Sequence, residues 1–463
     1  MKRLLLLVLF IAFPIFADAA LAVKEVKSSK GITAWLQEDQ SMPIVALAFA
    51  WRGGFELDPE DRQGLSMVAA DMLTHGAGKW DDNAFTQALQ ENSISLDFDA
   101  RRDAISGNLR CLKENLPQAV EMLSASVNAP LIAKDTLERQ KAHAATRLKF
   151  QLADPDWLLL RMAMRETFAG HPYGKRALGT VDSIKAITVD DVKAWRKHFA
   201  RGNLLVTATG AINEAELSKL LDDVFGALPE KTDLPVTPEA PFSVGGKSYH
   251  LILPGPQAQL FMEWQGFKRK DADWYAGEVM DYILGGGSFS SRLMKEIREK
   301  RGLTYGVSSN QSSLERAGLF TAQASFMAKN SNEVLKLVND EVKKISDTPV
   351  SADELEAAKD YLIGAYPLQL TSTSAIAGHL LNLRLNNLPV NEEEKRATAI
   401  KAVTLGDVKR VAKKIFEKPG AVFWVGPPGD GKKVDDVLQK PNGTFMNVTP
   451  SGIKADQVFD KVD

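Results

Sequence analysis

The chain of 463 residues has a single cysteine, Cys111, and only six histidines. One cysteine excludes an intramolecular disulfide framework and any cysteine-built zinc or iron–sulfur site. Excess charge of one sign is also lacking. Lys+Arg number 57 against 59 Asp+Glu, a net charge of -2, so nucleic-acid binding through bulk charge is excluded. Past the first segment no apolar run approaches the roughly 18 residues that span a bilayer, so stable membrane insertion of the mature chain is not expected. What is present, 44% apolar and 25% charged residues, is the profile of a folded protein of about two to four domains.

Lys2 and Arg3 precede an apolar run from Leu4 to Phe16, followed by the small-residue sites Ala17-Asp18-Ala19 and Ala20-Leu21-Ala22. These are the parts of a secretory signal peptide, with cleavage expected after Ala19 or Ala22, so the protein is expected to be exported. No cysteine follows the run, which argues against a lipoprotein.

PEKTDLPVTPEAP, residues 229–241, holds four prolines in 13 residues and reads as a stiff, extended linker. The segments on either side are alike. DTLERQK from Asp135 and DELEAAK from Asp353 share D-x-L-E-x-x-K at an offset of 218. Amphipathic stretches precede both, at 115–127 and 332–345. Strands are expected at 44–54 and 259–267, with Trp51 matching Trp264. Three matched elements in one order indicate duplication. The expected fold is α+β: two duplicated domains, each a mainly antiparallel sheet with helices on one face. The expected divisions are a signal peptide over 1–22, a first domain over 23–228, the linker, a second domain over 242–430 and a tail over 431–463.

HPYGKRALGT (171–180), IKAITVDDVKAWRKHFARGNLLVTATG after it, and SSRLMKEIREKRGLTYGV (290–307) together resemble the insulinase/pitrilysin-type metallopeptidases. The closer likeness is to the bacterial, mitochondrial-processing-peptidase-like branch, and it covers roughly residues 25 to 430. The resemblance implies that the two domains form half of a clamshell. It also implies that two such halves enclose a peptide, which adds as a strand to a sheet edge. With the signal peptide, this branch makes the periplasm the expected location.

The zinc motif H-x-x-E-H is where the chain departs from that pattern. Gly64-Leu65-Ser66 aligns with G-L-A, so the motif window falls on Met67, Val68, Ala69, Ala70 and Asp71. Zinc hydrolysis needs two imidazoles one helical turn apart and a carboxylate to deprotonate bound water. Met67, Ala70 and Asp71 supply neither imidazole nor the base. The distal ligand position falls on Thr146 or Arg147, and an arginine there repels zinc. No metal is therefore expected in this chain. Asp71 and His75 lie four residues apart, but His75 is better read as a helix-end histidine before Gly76. His143 is read as a surface or core-edge histidine, and His171, in the HPYG turn, as structural.

Arg298 and Tyr305 do match the family. The resemblance implies that this pair acts in trans, binding the substrate backbone and the oxyanion at a partner's zinc site, where fixed donors meet developing negative charge. Gly302 is expected to end the helix bearing Arg298. Gly285-Gly286-Gly287 resembles the flexible glycine-rich stretch of noncatalytic processing-peptidase subunits and is a weaker candidate for substrate contact. Its alternative reading is a helix stop and turn. Gly426–Lys433 nearly matches a P-loop but ends in Lys433 where a hydroxyl is needed, so nucleotide binding is not expected. The expected function is a noncatalytic subunit that completes the chamber of a zinc-bearing H-x-x-E-H partner in a heterodimer. The alternative is a zinc-free peptide-binding scaffold.

Overall fold

The computed structural model describes residues 22–253 and 255–427, together with the backbone of 443–446. The apolar leader, the P-loop-like Lys432-Lys433 and the remainder of the tail lie outside the described residues.

The first sheet is built from β1 (Val23–Lys27), β2 (Thr33–Glu38), β3 (Ile44–Arg52), β4 (Ser95–Ala100), β5 (Ala104–Leu112) and β6 (Leu204–Gly210), in the spatial order β1-β2-β6-β3-β5-β4. The second contains β7 (Ser248–Leu251), β8 (Gln257–Gln265), β9 (Thr304–Ser313), β10 (Gly318–Met327), β11 (Ala421–Val425) and β12 (Gly443–Met446), ordered β12-β7-β11-β8-β10-β9. From β2 and β7 outward the two orders coincide, so the repeated motifs report a repeated topology. Pairing is antiparallel except for β2–β6, β7–β11 and β7–β12. The matched tryptophans anchor equivalent cores. Trp51 stacks on Phe199 with ring centroids 4.0 Å apart, and Trp264 meets Phe416 edge-on at 5.2 Å.

Helices cover one face of each sheet, as the pattern of strands followed by helices predicts. The helix Lys134–Gln151 begins with DTLERQK, and the helix Ala352–Gly364 begins with DELEAAK. Ser351 and Glu354 close a reciprocal cap at the start of the second.

The other face of each sheet carries one helix from the opposite half. Leu158, Leu159, Met162 and Ala163 of helix Pro155–Thr167 pack on Tyr249, Phe261 and Phe423 of the second sheet. Ala377 and Leu381 of helix Thr373–Leu385 pack on Ala46, Ala48, Ala50 and Ala104 of the first. Both helices have 13 residues and start 218 residues apart, the offset of the repeat itself. The exchange locks the halves into one body, because neither sheet buries its second face without the other half.

Between Phe225 and Ser248 the chain forms neither helix nor strand. It is nevertheless tied down: Ala240 N donates to the Arg316 carbonyl at 3.0 Å, and the His171 ring lies 3.1 Å from the Pro238 carbonyl.

Candidate functional site: a degenerate metal helix and an open arginine–tyrosine rim

The zinc window lies on the helix Leu65–Met72. Gly64 precedes it with φ 94, a left-handed conformation that glycine adopts without strain. In place of a capping residue at Gly64, the buried Asp58 accepts from the amides of Gly64 and Ser66 and from the Ser66 hydroxyl (3.0, 3.1 and 2.5 Å). Burial pushes this carboxyl up to about 6, against the pull of those donors. Trp195 Nε1 donates to Ser66 Oγ at 3.0 Å, and Lys175 donates to the Glu56 and Asp58 carbonyls. Hydrogen bonds to Asp58 and Ser66 thus fix the start of this helix.

The side chains in the window do not fit zinc. Ala69 and Ala70 are buried and carry no donor, Met67 is half-buried against the core, and Asp71 faces solvent. The neighbouring helix Lys134–Gln151 joins this core through Leu137, Ala144 and Leu148, while His143, Thr146 and Arg147 are exposed. The Thr146 hydroxyl is spent on the Ala142 carbonyl at 2.9 Å. His75 has both ring nitrogens engaged, with Asp82 Oδ1 at 2.8 Å and Gln140 Nε2 at 2.9 Å. Arg139 also reaches Asp82, at 2.6 Å. His75 and Asp82 therefore tie the region after the metal helix to the distal helix through hydrogen bonds. Among the described residues, no three His, Cys, Asp or Glu side chains converge as a metal would require.

Arg298 and Tyr305 lie on consecutive elements of the second half. Arg298 belongs to the widened helical segment Met294–Glu299, which ends at Gly302 with φ 64. Gly302 N donates to the Arg298 carbonyl (2.8 Å) and Leu303 N to the Ile297 carbonyl (3.1 Å), so glycine closes the helix as its sequence position predicts. The chain then enters β9, the edge strand of the sheet.

Tyr305 is the extra residue of a β-bulge. Gly306 pairs with Ser325 and Thr304 with Phe326, leaving Tyr305 with no partner on β10. The Thr304 hydroxyl holds the bulge: it accepts from Gly306 N at 3.0 Å and lies 2.5 Å from the Ser325 carbonyl, to which it donates. A bulge re-aims the side chain it expels, and Tyr305 is 86% exposed.

Arg298 stands out by what it does not bind. Arg292 is held by Glu354 through two bonds of 2.8 Å, and Arg301 and Lys300 share Glu296 at 2.5 and 2.7 Å. Among the described residues Arg298 makes no hydrogen bond or ion pair; its guanidinium lies 4.7 Å over the Phe289 ring. Among the described residues none of its five N–H donors is committed.

A cavity of about 650 Å³ lies between the exchanged helix Pro155–Thr167 and the second sheet; Met294, on the segment that bears Arg298, and Gly306, next to Tyr305, are among its lining residues. Gly285, Gly286 and Gly306 line it, with Asp156 and Leu160 opposite. A contiguous recess of about 320 Å³ shares Leu160, Ser308, Ser309 and Gln323 and ends at Glu263. The glycine stretch is closely packed: a Cβ on Gly285 would sit 2.4 Å from Ser309 N, and one on Gly287 2.7 Å from the Tyr282 carbonyl. Asp281, accepting from Ser309 Oγ at 2.5 Å, pins the stretch to β9, and burial raises its carboxyl to about 6.

Sequence reasoning missed Phe289, Leu160 and Glu263. Leu160 reaches the groove only through the exchange of helices. Glu263 left a signal, a lone acid inside the apolar run LFMEW (260–264).

Known proteins bear on both halves. Residues 33–181 match the model described as insulinase (peptidase family M16), and residues 186–362 the model described as peptidase M16 inactive domain. A Helicobacter pylori protein named non-peptidase homolog YmxG is 27% identical over 412 residues, 88% of this chain and 94% of that protein. An uncharacterized zinc protease of Streptomyces coelicolor is 27% identical over 356 residues, 73% of this chain and 77% of that one. The crystal structure of a peptidase M16 inactive domain from Pseudomonas fluorescens superposes with a TM-score of 0.84 at 26% identity, covering 89% of this chain and 99% of that chain.

Proposed function

Because the chain belongs to the insulinase-type M16 peptidase family and is a noncatalytic member of it, we propose that it is the partner subunit of a zinc endopeptidase. The catalytic partner would carry H-x-x-E-H and the zinc. This chain would complete the peptide chamber and present Arg298 and Tyr305 to the partner's site.

One observation carries the reading. The metal window has lost its ligands and its base, while the Arg298 guanidinium lies over the Phe289 ring with no hydrogen bond or ion pair among the described residues. A guanidinium and a phenol fixed in this way can bind a peptide carbonyl and the oxyanion that forms from it. In this reading the substrate is an extended or unfolded polypeptide, lying partly in the groove beside Gly285 and Gly286. The apolar leader suits export to the periplasm, where the partner would also reside.

The test is reconstitution. The purified chain alone should bind no zinc and cleave no peptide, and addition of an H-x-x-E-H subunit from the same genome should produce cleavage. If peptide binds this chain but no such mixture turns it over, the protein is a peptide-binding scaffold. If both Arg298→Ala and Tyr305→Phe leave the mixture's turnover unchanged, the pair has no role in the reaction.

A further inference from the structure

We infer that Phe289 is the positioning residue for Arg298: its ring holds the guanidinium by the face and leaves the N–H edges open to substrate. This rests on the role proposed above for Arg298 and extends it to the glycine loop.

An arginine side chain has many rotamers, and confining it to one costs side-chain entropy that a holding contact must offset. Proteins usually hold one with a carboxylate, as Glu354 holds Arg292 and Glu296 holds Arg301. A carboxylate at Arg298 would occupy the donors that the reaction needs. A cation–π contact engages the flat face of the ion instead, so orientation is gained without consuming a donor.

Core packing does not account for Phe289, which is 57% exposed in the middle of the 3-10 turn Ser288–Ser290. The loop itself is built to present it. Ser288 takes φ 50, a left-handed conformation unusual for a residue with a Cβ. Ser290 Oγ donates to the Gly287 carbonyl at 2.6 Å and Ser291 Oγ to the Ser288 carbonyl at 2.7 Å, while Tyr282 Oη lies 3.3 Å from Ser290 Oγ. Hydrogen bonds thus fix the backbone on both sides of Phe289. In this arrangement the glycine stretch serves Arg298: its close packing sets where Phe289 stands.

Two measurements test this. The first is NMR of the full chain labelled at arginine, with the Arg298 signal assigned by its loss in Arg298→Lys. Ring current should shift the Arg298 Nε–H proton upfield. Phe289→Ala should return it to the free-arginine position, and Phe289→Tyr should keep it shifted. A wild-type signal already at the free position overturns the inference. The second is turnover of a quenched-fluorescent peptide by the complex with an H-x-x-E-H subunit. Phe289→Ala and Phe289→Leu should lower kcat/KM by about tenfold, and Phe289→Tyr should restore it. Added to Arg298→Ala, Phe289→Ala should cost nothing further, since it acts through that residue. If Arg298→Ala is severely impaired and Phe289→Ala is not, the inference fails while the role of Arg298 stands. If Arg298→Ala has no effect, that role fails, and the NMR result alone decides whether Phe289 orients the side chain.

Discussion

The hydroxyl of Thr167 donates a hydrogen bond to Glu263 Oε2, joining the end of the exchanged helix to the middle of the second sheet. The other carboxylate oxygen, Oε1, has no hydrogen-bond partner among the described residues, and Glu263 is 0% exposed. An acid so placed sits at the contact between the halves and resists ionisation.

That environment predicts a pH effect on stability. Burial raises Glu263 to about 7 from an ordinary 4.5. The folded chain therefore holds this proton more tightly than the unfolded one, and stability falls as pH rises from about 4.5 through 7. Glu263→Gln should be more stable than the parent above pH 7, by up to about 3 kcal/mol, and should converge with it below about pH 4.5. Urea midpoints from pH 4.5 to 9 measure this; parallel curves for the two proteins would rule it out.

Arg298 and Tyr305 should matter for turnover and not for folding. Neither makes a stabilising hydrogen bond or ion pair among the described residues, so Arg298→Ala and Tyr305→Phe should leave the melting temperature within about a degree of the parent's. In the reconstituted complex, Arg298→Ala should lower kcat about 10²–10³-fold, as loss of an oxyanion donor does. A large fall in melting temperature would assign the residues to structure instead.

His75 should behave as a structural clasp. With both nitrogens hydrogen-bonded, to Asp82 and Gln140, His75→Ala should cost about 1–3 kcal/mol, chiefly by leaving the buried Gln140 amide unmatched. A chelator should change neither the parent nor the variant. Chelation that destabilises the parent as much as the substitution does would mean that His75 binds metal.

Two glycines should differ in cost for different reasons. At Gly302 there is open space but φ is 64, so Gly302→Ala should cost about 1 kcal/mol of backbone strain. At Gly285 the added Cβ meets the backbone of Ser309, so Gly285→Ala should cost about 1–3 kcal/mol and displace the loop bearing Phe289. A Gly285→Ala or Gly302→Ala variant with the parent's denaturation midpoint would contradict this account.

Much of this protein was legible in one sequence. Duplication, fold class and the loss of the metal chemistry follow from local patterns: repeated helix starts, matched strands, and Met67, Ala70 and Asp71 where imidazoles and a base would stand. The Gly302 turn was equally readable, because a left-handed helix end is a local demand. The consequences of long-range packing were not. Helix Pro155–Thr167 crosses onto the other half's sheet, and nothing in its own residues names that sheet as its partner. The bulge that expels Tyr305 exists only in the pairing of β9 with β10. The freedom of Arg298 depends on where Glu296 and Glu354 spend their charge, and its orientation depends on a phenylalanine across a turn. Residue types therefore determined which chemistry this chain retains. Tertiary structure decided which of those groups are free to use it, since a side chain's availability is set by its neighbours in space.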